Sequence, residues 1–178
     1  DLYVSDNFGT AHRAHASVVE LPKLLPSYAG FLREREIESL GRVIKNPVRP
    51  LVAIIGGAKM ETKLPMIYVF LKLRVMVLIG GTLADKKLHA NPLVRVPTDG
   101  PRLNGALKDI GPCTIKDYVA ELRRARTIIW NGPVGQIEKK IYAKGTEAIG
   151  RALQRVRAFK VVGGGDTVAF LEKRNLLK

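Results

Sequence analysis

The apolar positions of this chain fall into two recurring patterns. Short unbroken apolar runs end in glycine, and longer stretches carry apolar residues at helical spacing with charges between them. The first such run, residues 51–55 (LVAII), has no polar member, as expected of a strand covered on both faces. Residues 52–55, 75–79, 127–130 and 160–162 run directly into Gly56-Gly57, Gly80-Gly81, Asn131-Gly132-Pro133 and Gly163-Gly164-Gly165-Asp166. Helical patterns follow over residues 64–73, 146–156 and 167–174, and another at 114–125 precedes the third run. Strands alternating with helices predict an α/β fold, a parallel sheet with helices on both faces. Right-handed crossovers would gather the glycine turns at the carboxyl edge of that sheet, where folds of this type bind ligands.

Before residue 50 the pattern differs. Residues 2–4 read as a short strand and residues 6–17 (DNFGTAHRAHAS) as a polar loop. Residues 28–44 read as a helix capped by Ser27, with Phe31, Ile37, Leu40 and Ile44 on one face. Asn46-Pro47 and Arg49-Pro50 end it, and a domain boundary is expected near residue 50. Residues 82–93 fit neither pattern. They suit a loop, a damaged unit, or a join across missing residues.

Composition narrows the class. At 178 residues and 46% apolar, the chain can bury a core as one domain, or as one domain and part of another. The single cysteine, Cys113, excludes an internal disulfide. No apolar run has membrane-spanning length and no signal-peptide pattern opens the chain. The chain starts inside a structured-looking motif, however, so the missing targeting signal decides nothing.

Charge adds a second theme. The formal net charge is +14 and the pI near 10.2. Residues 1–50 carry seven Lys/Arg against six Asp/Glu, and residues 51–178 carry 23 against ten. A phosphorylated small molecule needs only a few placed cations. An excess of this size also suits a polyanion such as RNA, or simply a basic surface.

The candidate chemistry is phosphate chemistry. Gly56 and Gly57 allow a sharp turn and close approach to the backbone, and a helix start offers free N–H groups. Lys59 and Lys63, one turn apart, add charge on the same side. Asp166 suits either Mg²⁺ on a nucleotide or the N-cap of the following helix. Asn131 offers an amide to a phosphate. Arg13, between His12 and His15, marks an anion-contacting loop better than a metal site, since the histidine pair lacks an acidic or cysteine partner. No G-x-G-x-x-G or P-loop motif and no partnered nucleophile are present.

Taken in order, DNFGTAHRAHAS, IIGGAKMETK, LIGG, DIGP, WNGPVG and VVGGGDT resemble the motifs of the phosphoglycerate kinase family over nearly the whole chain. The resemblance implies a two-lobed enzyme with a Rossmann-like three-layer nucleotide lobe. It transfers a phosphoryl group between 1,3-bisphosphoglycerate with ADP and 3-phosphoglycerate with ATP, in glycolysis. Residues 1–27 would be the tail of the 3-phosphoglycerate-binding lobe, 28–50 the connecting helix and hinge, and 51–178 an incomplete nucleotide-binding lobe. By the same resemblance, Arg13 contacts 3-phosphoglycerate, and Lys59 and Lys63 are the catalytic lysines. Gly57, Gly80, Gly111, Asn131, Glu138, Gly163, Gly164, Gly165, Asp166 and Thr167 bind nucleotide, with Mg²⁺ linked through Asp166. The cofactor would be Mg²⁺ with ATP or ADP. The family points to the cytoplasm, with an organelle left open.

The chain also departs from the family pattern. Most of the first lobe is absent, and no T-G-G-G-A-S stretch follows Lys178. The segment between Gly81 and Val94 is short. Thr62 stands where the family commonly has aspartate, and Gln136-Ile137 where it has a bulky aromatic. The chain alone is therefore expected not to run the full reaction. Two other readings remain open: a catalytically dead, basic structural or RNA-binding subunit, for example of an organellar ribosome, and a stand-alone nucleotide-binding module.

Overall fold

The computed structural model describes residues 1–58, 60–81, 83 and 91–177, without the side chains of Ile44 and Met60. The chain divides into two compact units, Asp1–Pro47 and Val48–Lys178.

The first unit pairs β1 (Tyr3–Ser5) in parallel with β2 (Ser27–Ala29). Two short helices, α1 (Ala16–Val19) and α2 (Leu21–Leu24), lie between them, and α3 (Phe31–Lys45) follows. The expected helix over 28–44 is thus corrected at its start. Residues 27–29 are a strand, Gly30 is the N-cap, and Ser27 Oγ donates to Leu25 O instead of capping. The physical cap is distant in sequence. Asp6 Oδ1 accepts the Arg33 N–H at 3.0 Å, satisfying a donor in the first turn of α3.

The second unit is a three-layer α/β fold. Its parallel sheet has the order β5-β4-β3-β8-β9, from Val94–Arg95, Met76–Ile79, Leu51–Ile55, Thr127–Asn131 and Phe159–Gly163. Strand β3 lies at the centre and is buried at every position. Its side chains alternate between faces, as a pleated strand requires. Leu51, Ala53 and Ile55 join a core with Ile67 of α4 (Met60–Lys72). Val52 and Ile54 join the opposite core, with Tyr118 and Leu122 of α5 (Pro112–Arg124) and Ile149 and Leu153 of α6 (Lys144–Arg155). Phe170 and Leu171 of α7 (Gly165–Lys173) pack into that second core.

Besides β1–β2, two more strand pairings had no counterpart in the sequence pattern. Strand β5 is only two residues long, too short to show a period, and follows the turn at Asn91. The hairpin β6 (Arg102–Leu103) to β7 (Ala106–Leu107) turns on Asn104-Gly105, both at positive φ, the signature of a two-residue hairpin turn. Most of the stretch 82–93, the poor fit in the pattern, lies outside the described residues. Of its members that are described, Leu83 is fully buried among the residues of the α4 face.

Candidate functional site

Register sets the geometry of the site. Ile79 pairs with Ile55, Ile55 with Asn131, and Asn131 with Gly163, so four strands end side by side. The turns leaving them are tied by main-chain hydrogen bonds. Gly56 N donates to Asn131 O at 3.0 Å, Gly57 N to Pro133 O at 2.8 Å, and Gly81 N to Val134 O at 2.6 Å. Two glycines make that approach possible. A Cβ on Gly132, which has φ +89°, would sit 2.2 Å from Gly56 O, and one on Gly56 would sit 2.1 Å from Pro133 O. Any side chain at either position would force these turns apart.

Between the turns lies a cleft of about 300 Å³, lined by Gly56, Gly57, Ala58, Thr62, Lys63, Asn131, Gly132, Pro133, Gly164, Asp166 and Thr167. Lys63, half-buried in the first turn of α4, donates from Nζ to Asn131 Oδ1. Burial lowers its ammonium pKa below the ordinary lysine value. That bond occupies the amide oxygen of Asn131, while its Nδ2 lies beside Gly163, where an added Cβ would come within 3.4 Å. The N-terminus of α7 opens into the cleft without a side-chain cap. Its N-cap is Gly164, so the N-cap alternative for Asp166 does not hold. Asp166 instead lies exposed in the first turn. Thr167 is fully buried, and its Oγ1 has no hydrogen-bond partner among the described residues.

The cleft therefore brings together Gly57, Lys63, Asn131, Gly164, Asp166 and Thr167. Gly163 and Gly165 flank Gly164 in the β9–α7 turn without lining it. Gly80 packs under Val134, and Gly111 is the N-cap of α5 against Asp99. Glu138 is exposed on the loop after β8. Arg13 is exposed in the first unit, and among the described residues no cluster of potential metal ligands forms around His12 and His15. Lys59 lies outside the described residues.

One contributor was not legible as such. Asp109 is 1% exposed and accepts hydrogen bonds from Gly145 N at 2.8 Å and Ile110 N at 2.9 Å. Added Cβ atoms on Gly135 and Gly145 would come within 2.2 and 2.3 Å of its Oδ1, so the carboxylate is wedged between the WNGPVG loop and the start of α6. Desolvation raises its pKa to about 6 despite those bonds. In sequence Asp109 stands between Lys108 and Ile110, a setting that carries no sign of its burial.

Comparison with known proteins agrees with this geometry. A family profile described as phosphoglycerate kinase matches residues 1–93 and 87–178, its two matches meeting within the 82–93 stretch that fits no pattern. The phosphoglycerate kinase of Moorella thermoacetica is 37% identical over 220 aligned positions, covering 97% of this chain and 56% of the relative. That of Thermomicrobium roseum is 35% identical, covering 99% and 57%. The solved phosphoglycerate kinase from Coxiella burnetii superposes with a TM-score of 0.84 at 31% identity, covering 99% of this chain and 58% of that one. The enzyme from Pyrococcus horikoshii OT3 gives 0.85 at 28%, with 97% and 56% covered. The chain spans somewhat over half the length of the relatives it matches. With its parallel sheet, its glycine-lined carboxyl edge and a profile match from end to end, the chain belongs to the phosphoglycerate kinase family.

Proposed function

We propose that the cleft at the carboxyl edge binds the phosphates of MgADP or MgATP, as the nucleotide half of a phosphoglycerate kinase site. In this reading residues 51–178 form the nucleotide-binding lobe, residues 28–50 connect, and residues 1–27 belong to the 3-phosphoglycerate lobe. The observation that carries it is Thr167 Oγ1. A buried hydroxyl without a partner is costly, and Thr167 lines a cleft whose other polar side chains are Thr62, Lys63, Asn131 and Asp166. A phosphate oxygen would satisfy it.

The donor set suits a phosphate chain. The Lys63 ammonium, the Asn131 amide, the Thr167 hydroxyl and the free N–H groups opening α7 all donate. Asp166 is the carboxylate in the cleft, which matches Mg²⁺ held by one carboxylate together with phosphate oxygens. When bound, the Mg-nucleotide supplies the phosphoryl group and the ion that neutralises its charge. The protein's share is positioning and electrostatics, the two contributions phosphoryl transfer chiefly needs. Lys63 holds its charge against the phosphates. Lys59, one turn earlier in sequence, is assigned with it as a catalytic lysine. Gly57 and the 163–165 turn admit the phosphates to the backbone. Gly80, Gly111 and Glu138 are assigned to the base and ribose end, and Arg13 to 3-phosphoglycerate. The reaction is reversible transfer between 1,3-bisphosphoglycerate with ADP and 3-phosphoglycerate with ATP. The 178 residues taken alone are expected to bind nucleotide without turnover.

Calorimetry with MgADP tests this directly. Losing one charge-assisted hydrogen bond costs about 1.5–3 kcal/mol, so Lys63→Ala should weaken binding by about 10- to 100-fold. Thr167→Val should weaken it less. A folded chain that binds no MgADP would sink the kinase reading and leave the inactive basic subunit as the better one.

A further inference from the structure

The opposite edge of the sheet carries a different chemistry. Because every strand pair is parallel, the strand starts lie together as surely as the strand ends do. Arg49 and Arg74 precede β3 and β4, and Arg126 and Arg157 precede β8 and β9. Extending the β3–β8 register by one residue sets Arg126 beside Pro50, and extending the β3–β4 register by two sets Arg74 on its other side. One residue further back, Arg49 and Arg157 lie on either side of Ala125. Main-chain bonds hold this level together, from Arg126 N to Pro50 O at 2.8 Å and from Phe159 N to Arg126 O at 2.9 Å. The C-terminal turns of α5 and α6, which share one face of the sheet, add Arg123, Arg124 and Arg155.

All of these arginines are exposed, and among the described residues none is in an ion pair. The helix dipole explains a cation at each helix C-terminus. It does not explain Arg123, Arg124 and Arg126 around the end of one helix. Arg49 is held to the end of α4, donating to Leu73 O at 2.7 Å and Arg74 O at 3.3 Å, and adds its charge to the row from there.

We propose that this amino edge is a docking surface for the phosphate backbone of a single-stranded nucleic acid. Strands lie about 4.8 Å apart, so four strand starts span about 14 Å. A nucleic-acid strand at helical rise carries a phosphate every 3.4 Å or so, which sets about four phosphates against the row. Arginine rather than lysine fills the row, and its planar fork suits bidentate phosphate contact. Phe159, 37% exposed at the start of β9 and two residues from Arg157, offers a ring on which a base can stack. A linear row of forks beside a ring fits a single strand better than it fits a diffuse anionic membrane surface.

The test measures binding of a fluorescent oligouridylate to the full chain across a salt series. Four backbone contacts predict a slope of log K against log salt near −3, since single strands give about −0.7 per contact. Arg126→Gln with Arg157→Gln should roughly halve that slope. Lysine at both positions should keep it, with circular dichroism confirming the fold of each variant. A charge-matched pair on the loop toward the other edge, Lys139→Gln with Lys140→Gln, should leave the slope unchanged, and MgADP should not displace the oligonucleotide. Equal losses in the two glutamine pairs would overturn the proposal, as would displacement by MgADP or the absence of binding. So would anionic vesicles binding through the same arginines while the oligonucleotide does not.

Discussion

At the scale of single residues, Asp109 is the group whose environment has the clearest measurable consequence. Its carboxyl titrates near 6 in the folded chain against an ordinary value of 3.8, because burial penalises the charge more than its main-chain bonds favour it. Below about pH 4 it is protonated in both folded and unfolded states. Between about 4 and 6 the folded state holds the extra proton, so this group's contribution makes stability fall as pH rises. Above 6 the loss is complete, at about 3 kcal/mol for a shift of roughly two units. Asp99 and Glu147 act with opposite sign and at lower pH. Burial works against both effects, but hydrogen bonds to Thr114 and Cys113 hold Asp99 below the usual range, and Arg151 and Arg174 hold Glu147 there. Their contribution is lost as pH falls through the acid range. Urea midpoints should therefore drop between about pH 4 and 6 in the wild type, and Asp109→Asn, whatever its own stability, should flatten that drop. A drop of the same size in the variant would assign it to another group.

At the scale of elements, α5 and α3 depend on caps that come from far along the chain. Asp99 Oδ1 accepts Thr114 N at 2.8 Å and Thr114 Oγ1 at 2.6 Å, and Oδ2 accepts Cys113 N at 3.0 Å. One carboxylate thus satisfies two of the free donors of α5, as Asp6 does one for α3. Asp99→Ala should cost about 1–2 kcal/mol, read as a lower urea midpoint with an unchanged slope. A cost near zero would mean that water replaces the cap. The same feature explains which boundaries were legible. Strands β3, β4 and β8 announce themselves, because apolar runs closed by glycine arise from burial on both faces, whereas β9, half-buried at the sheet edge, shows through the three glycines that close it. The starts of α5 and α3 do not, because their caps lie in other segments: the apolar spacing starts one helix at residue 114 where it begins at Pro112, and another at residue 28 where it begins at Phe31. At the site, glycines and lysines show in sequence because loop chemistry demands particular residue types. The orphan hydroxyl of Thr167 and the wedged Asp109 do not, since an isolated polar residue in sequence carries no sign of its burial.

At the scale of the molecule, the two units differ in what protects them. Both large apolar cores belong to the second unit, and β3 and β8 cross its middle with Ala53, Ile54, Ile55 and Trp130 fully buried. In the first unit, Gly30 and Val43 are the buried positions among the described residues, while Phe31 is 87% exposed and Leu32 and Ile37 about half exposed. Amide exchange reports the free energy of local opening, which ranges from near zero at poorly packed segments to the global value at the core. A core element that opens only with global unfolding is protected by about 5–15 kcal/mol, and every 1.4 kcal/mol is tenfold in rate. The slowest amides should therefore lie in β3 and β8, and those of α3 should exchange at least about 100-fold faster. Addition of MgADP should slow exchange in the turns at 56–57, 131–133 and 163–165 and leave α3 unchanged, because a ligand protects the segments whose opening would break its contacts. Protection of α3 equal to that of β8 would show that the two units open together. The boundary near residue 47 would then be one of shape only, and the glycine-lined cleft would draw its rigidity from the whole chain.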